Sequence, residues 1–179
     1  MTSTPRPRRV GRSALLPGAL LALLLPSPGG AAAGPSPGAC AGRPTMLVVD
    51  TAAHTLLLCK DGASHGSYRV ALGAGGTGKQ REGDRKTPLG SYPLAPPRPS
   101  KQYHLFLLLG YPTAQQRARG FSGSAIGIHG PSRTTRVAGS FLNTLFDWTQ
   151  GCIAVGSDEE IEQIAAWVRR EQPDTVELR

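Results

Sequence analysis

The sequence predicts a single α+β domain that is mainly β, and three observations predict it. Glycine occurs 23 times and proline 16 times in 179 residues, well above average use, which favours turns and short strands over a helical bundle. Short apolar runs alternate with turn-sized stretches from Met46 onward, the pattern of paired strands. One segment near the end, starting at Ser157, instead carries apolar residues at helical spacing.

Taken in order, MLVVD (residues 46–50) and TLLLC (residues 55–59) read as a hairpin, and Asp61-Gly62 supplies the next turn. SYRVALG extends the meander, with Tyr68, Val70 and Leu72 on one face and Arg69 and Ala71 on the other. A glycine-rich stretch, residues 73–83, and a Thr87-Pro88-Leu89-Gly90 turn lead to a short strand around residues 91–94. Pro96, Pro97 and Pro99 then break the chain before an apolar strand at 104–109. Residues 112–119 suit one short helix and 125–129 another strand. Ser157 with Glu160 fits a capping box, and Ile161, Ile164, Ala165 and Val168 mark the buried face of the helix it opens. Pro173 stops that helix, and residues 175–178 close the domain as a last strand.

The N-terminus has the three parts of a secretory signal: an arginine-rich start, an apolar run from Ala14 to Leu25, and the small residues Ala31, Ala32 and Ala33. The expected layout is a signal peptide over 1–33, a Pro/Gly/Ala-rich linker over 34–44 and a folded domain over 45–179. The apolar run is broken by Pro17 and Gly18 and falls short of the ~20 residues a bilayer span needs. No stable span is therefore expected once the leader is removed; an uncleaved anchor is the alternative. Four of the 20 basic side chains, Arg6, Arg8, Arg9 and Arg12, lie in this leader, so 16 face 12 acidic ones in the remainder. That excess suits an anionic envelope polymer as well as DNA, and without a basic stripe interleaved with aromatics no nucleic-acid partner is expected. Oligomeric state stays open.

Three cysteines in an exported chain leave one unpaired. Cys40 and Cys59 are the expected disulfide, because the first hairpin carries Cys59 back towards its own start. Cys152 is then the free thiol, either a buried packing residue or a nucleophile.

Two other chemistries fail on inspection. Gly73-Ala74-Gly75-Gly76-Thr77-Gly78-Lys79 resembles a phosphate-binding loop, but Gln80 stands where a magnesium-holding hydroxyl is required and no helical pattern follows. It reads as a flexible loop bordering a cleft. His54, His65, His104 and His129 are scattered and no metal-ligand spacing occurs, so neither metal nor other cofactor is expected.

The segment IGIHGP followed by DWTQGCIAVG is the informative one. His129 ends an apolar strand before Gly130-Pro131, where its ring can face a cleft, and Cys152 follows Gly151 five residues ahead of the capped helix. A thiol is mostly protonated at neutral pH without a base beside it, and histidine is the natural base. Glycine before the cysteine leaves the N–H groups of Gly151 and Cys152 accessible to an oxyanion.

Ile128-His129-Gly130 and Thr149-Gln150-Gly151-Cys152, with Gly83-Asp84-Arg85-Lys86-Thr87-Pro88-Leu89-Gly90-Ser91-Tyr92 upstream, resemble the signature of the L,D-transpeptidase catalytic domain (YkuD) family over about residues 45–179. Tyr111-Pro112 and Asp147-Trp148-Thr149-Gln150-Gly151-Cys152-Ile153-Ala154 resemble its YafK-like branch most. Gln150 replaces a histidine common in the family's turn, and the 23-residue step from His129 to Cys152 implies a longer lid.

The resemblance implies a β-sandwich or barrel-like domain with a helix after the cysteine. It further implies Cys152 as nucleophile, His129 as base and then acid, and a backbone carbonyl, of Gly130 or a neighbour, orienting the imidazole. Arg136, Asp147, Trp148 and Thr149 would shape the cleft; Arg136 with Asp147 as a structural pair, and Trp148 as core, are the alternatives. The implied substrate is the peptidoglycan stem peptide, in cell-wall biogenesis and cell shape, at the periplasm or cell envelope. Acyl transfer to an amine would make a transpeptidase, transfer to water a carboxypeptidase or amidase. A non-catalytic wall-binding module that keeps the fold is the third reading.

Overall fold

The computed structural model describes residues 38–179, together with Met1, Thr2 and Thr4. The expected signal peptide and most of the expected linker lie outside the described residues. Among the described residues nine strands form one sheet: β1 Met46–Asp50, β2 Thr55–Lys60, β3 Ala63–Ala71, β4 Gly90–Pro93, β5 Arg98–Ser100, β6 His104–Leu108, β7 Gly127–His129, β8 Ile153–Val155 and β9 Thr175–Leu178. Their order across the sheet is β4-β9-β1-β2-β3-β8-β7-β6-β5. Among the described residues three α-helices, α1 Ala114–Ala118, α2 Ser140–Asn143 and α3 Asp158–Glu171, and one short 3-10 helix, Arg136–Ala138, interrupt them.

The sheet curls until its ends meet. Just past β4, Leu94 bridges Leu109 just past β6, and the N–H groups of Ala95 and Gly110 donate to Leu108 and Pro93 oxygens at 2.8 Å. The chain running from β4 to β5 thus pairs with β9 on one side and β6 on the other, which makes the mainly-β, barrel-like domain that was expected. The proline-rich stretch does more than break the chain. It contains β5, and Pro99 sits on an edge strand, where a missing N–H is tolerated.

The hairpin β1–β2 forms in the expected register, with Met46 opposite Cys59. Cys40 and Cys59 are joined by a disulfide with their Cα atoms 5.3 Å apart. It ties the segment before β1 onto a small buried cluster of Ala39, Met46, Val48 and Leu57. The larger core lies on the other face of these strands, where Leu47, Val49, Leu56 and Leu58 meet Ile128, Ile153 and α3.

Helix α3 buries Ile161, Ile164, Ala165, Trp167 and Val168 against that core. Acidic residues fill its first turn and Arg169 and Arg170 its last, both favourable to the helix dipole. Ser157 caps it by accepting from the Glu160 N–H. The reciprocal half of the capping box is absent, because the Glu160 carboxylate instead accepts from the Gly156 N–H at 2.8 Å and the Ser140 hydroxyl at 2.8 Å. Glu160 thereby anchors the segment between β7 and β8 to the start of α3. Asn143 Nδ2 donating to Gly156 O at 2.9 Å and Arg136 pairing with Asp158 at 2.9 Å add to that anchorage.

The glycine-rich stretch is not the flexible loop the sequence suggested. Thr77 bridges Thr87, and the Gly75 and Gly78 N–H groups donate to Arg85 and Thr87 oxygens. A Cβ on Gly73 would lie 2.2 Å from the Arg85 oxygen, so glycine there serves close backbone packing. Lys79, whose side chain is only 4% exposed, is held by Asp84 at 2.7 Å and by the Arg81 carbonyl at 3.0 Å. Burial opposes the Asp84 carboxylate; Lys79 and the N–H groups of Arg81, Lys86 and Gln80 outweigh it and hold the carboxyl well below the usual range. An ammonium so engaged does not serve a phosphate.

No helix among the described residues is long and apolar enough to cross a membrane.

Candidate active site

Strands β7 and β8 are parallel neighbours, with Ile128 beside Ile153 and His129 beside Ala154. This pairing brings Cys152, the residue before β8, next to the strand that ends in His129. The apolar residues Ile128 and Ile153 bury on the core side and thereby fix which way the polar neighbours turn.

His129 is 1% exposed. Its Nδ1–H donates to the Gly130 carbonyl at 2.7 Å, which leaves Nε2 as an acceptor. The ring stacks on Tyr103, 3.8 Å between centroids, lies near-parallel to Phe106 at 5.9 Å and meets Trp148 edge-on at 5.9 Å. Burial among these rings, only partly opposed by the Gly130 hydrogen bond, pushes the imidazole down to about 4. The imidazole is therefore neutral at physiological pH.

The partly buried Cys152 thiol donates to the Ala125 carbonyl at 3.5 Å. Burial raises its pKa, against the opposing pull of the Gly127 N–H and the Lys79 charge. Thiol and imidazole thus rest as a neutral pair, and no Cys152–His129 hydrogen bond is made in this resting arrangement.

The turn before Cys152 is built by Thr149, which is buried. Its hydroxyl donates to the Cys152 carbonyl at 2.7 Å and accepts from the Gly151 N–H at 3.0 Å. Gly151 adopts φ +121°, and a Cβ there would sit 2.5 Å from the Lys86 oxygen, so the position demands glycine. Its N–H is spent on Thr149, which corrects the expectation that Gly151 would join an oxyanion hole.

The expected cleft residues separate. Trp148 reaches the site, its ring against His129 and its Nε1–H on the Asn143 carbonyl at 2.9 Å. Thr149 is turn structure rather than cleft wall. Asp147 accepts from the Leu72 N–H at 2.7 Å and contacts His54 at 3.1 Å, whereas Arg136 pairs with Asp158. The considered Arg136–Asp147 pair is therefore replaced by two others, because α2 and the turns around it hold the two residues apart along the connection.

An open cavity of about 570 Å³ lies in front of Cys152, and Arg98, Lys101, Tyr103, Phe106 and Gln150 line it. None of Arg98, Lys101 and Tyr103 was singled out from the sequence. The signal available was Ser100, whose hydroxyl accepts from the N–H groups of Gln102 and Tyr103, a local turn motif that sets Tyr103 on the imidazole. Among the described residues no group of three or more His, Cys, Asp or Glu side chains could hold a metal ion.

The family model for the L,D-transpeptidase catalytic domain (YkuD) matches residues 44–177. The chain belongs to that family. Among curated L,D-transpeptidase relatives, the putative L,D-transpeptidase YafK of Escherichia coli K12 is 30% identical over 96 residues, 50% of this chain and 39% of the relative. The chain thus matches about two fifths of that relative's length. Among solved structures, the helical cell shape determining protein Pgp2 from Campylobacter jejuni superposes with a TM-score of 0.58 at 24% identity, covering 75% of this chain and 46% of Pgp2. An L,D-transpeptidase from Xylanimonas cellulosilytica gives 0.50 at 16% identity, covering 82% and 65%. These structural likenesses establish the L,D-transpeptidase fold.

Proposed function

We propose that this protein is an exported peptidoglycan L,D-transpeptidase in which Cys152 is the nucleophile and His129 the base. The observation that carries the reading is the strand pairing: His129, held through Nδ1 by the Gly130 carbonyl, ends the strand parallel to the one that Cys152 precedes, and Cys152 lines a cavity of about 570 Å³.

In the proposed reaction Sγ gives its proton to His129 Nε2 as it attacks a carbonyl of a stem peptide, forming a C–S bond. The Cys152 N–H accommodates the oxyanion. The C–N bond then breaks, and the departing amine takes the proton from the imidazolium. The resulting thioester is attacked by an amine of a second stem; His129 removes that amine's proton and returns it to sulfur as the C–S bond breaks. The layout that accompanies the proposal is a leader over residues 1–33, a linker over 34–44 and the catalytic domain from 45 onward, working at the cell envelope.

The test is incubation of the purified protein with muropeptides, products read by mass, beside Cys152→Ala. Crosslinked dimers that disappear in the variant are the expected result. Shortened stems alone would make the protein a hydrolase of the same stems; identical products from both proteins would overturn the mechanism, and no conversion by either would leave a wall-binding module.

A further inference from the structure

The cavity in front of Cys152 has two charged side chains on its wall, and both are cations: Arg98 and Lys101 line it, whereas no carboxylate among the described residues does. Neither cation is paired with an acid among the described residues. Their placement is built. The Arg98 guanidinium lies over the Phe106 ring, 5.3 Å from its centroid, and Phe106 is the residue paired with His129 across β6 and β7. Lys101 sits in the turn fixed by Ser100, the same turn that seats Tyr103 against His129. Unpaired cations on one wall of a nucleophile's cavity form an anion-recognition surface.

We propose that Arg98 and Lys101 bind a carboxylate of the stem peptide next to the scissile carbonyl, and so determine which stems the site accepts. The proposal rests on the function proposed above. Two carboxylates have this chemistry: the terminal one of the departing amino acid, and one on the side chain of the donor residue.

The experiment uses the full chain carrying Cys152→Ala and three synthetic tetrapeptide stems with a diamino dicarboxylic acid as donor residue. One stem has both carboxylates free, one is amidated at its C-terminus, and one is amidated on the side chain. Calorimetry is expected to give a roughly five- to tenfold loss of affinity for one amidated stem, the sum of two exposed charge contacts. Which stem loses affinity identifies the carboxylate. Adding Arg98→Gln and Lys101→Gln is expected to remove the discrimination and the salt dependence of binding, with Arg98→Lys retaining both. Equal affinity for all three stems, discrimination that survives the double substitution, or no binding would overturn the proposal. Turnover by the protein with Cys152 intact is scored separately. Turnover without carboxylate preference sinks this proposal alone, and carboxylate-dependent binding without turnover sinks the catalytic reading alone. Arg98 and Lys101 are both exposed, so an unchanged thermal midpoint is the control for folding.

Discussion

Lowering the pH should destabilise this domain through one buried side chain. His129 binds its proton at about 4 when folded, against about 6.5 in an unfolded chain. Between these values the unfolded state holds a proton that the folded state refuses, so stability falls as pH drops from 6.5 and levels off below about 4. At 1.36 kcal/mol per pKa unit, this side chain costs about 2 kcal/mol at pH 5 and about 3 kcal/mol at pH 4. The perturbation is His129→Gln, which cannot titrate. Urea unfolding of both proteins at pH 7.5, 5.0 and 4.0 isolates the effect, because shared carboxylate titrations cancel in the difference. The gap between the proteins should shift in the variant's favour by about 2 kcal/mol from pH 7.5 to 5.0. A gap that stays constant would refute the neutral, buried imidazole on which the mechanism depends.

Other consequences are as direct. Gly151→Ala puts a methyl group 2.5 Å from the Lys86 oxygen at φ +121°; thermal unfolding should register a loss of about 3 kcal/mol, with activity abolished. Replacing both Cys40 and Cys59 by serine should cost about 3 kcal/mol, from the loop their bond closes, and peptide mapping without reduction should find Cys152 as a free thiol. Lys79→Met leaves Asp84 without its buried cation and should destabilise by about 3 kcal/mol in urea unfolding. Because Cys152 is raised by burial, its alkylation rate should climb above pH 8 rather than level off near pH 6; a plateau at pH 6 would indicate a preformed thiolate.

The strands and α3 were legible because their signals are local. Met46–Asp50 and Thr55–Lys60 form a hairpin from adjacent apolar runs, and Ser157 caps α3 within one turn. Strand β5 was not legible, since Arg98–Ser100 contains a proline and exists only because the curled sheet offers β6 as a partner. Cys152 and His129 could be singled out by residue type and neighbours, yet their surroundings depend on long-range placement. Asp147 meets His54, 93 residues away, and Arg136 meets Asp158, neither of which follows from spacing along the chain. The role of Thr149 shows the same limit: only the folded turn reveals that its hydroxyl occupies the Gly151 N–H. Gln80 already spoke against a phosphate loop around Lys79, but the actual partner of that lysine, Asp84, is visible only in the folded loop.

The central claim is that Cys152 carries the acyl group. Rapid acid quenching of the protein with a stem tetrapeptide, followed by peptide mapping by mass, tests it most directly. The account predicts a thioester on the peptide containing Cys152, absent from Cys152→Ala and slow to form in His129→Gln. An adduct on another residue, or turnover undiminished in Cys152→Ala, would contradict it.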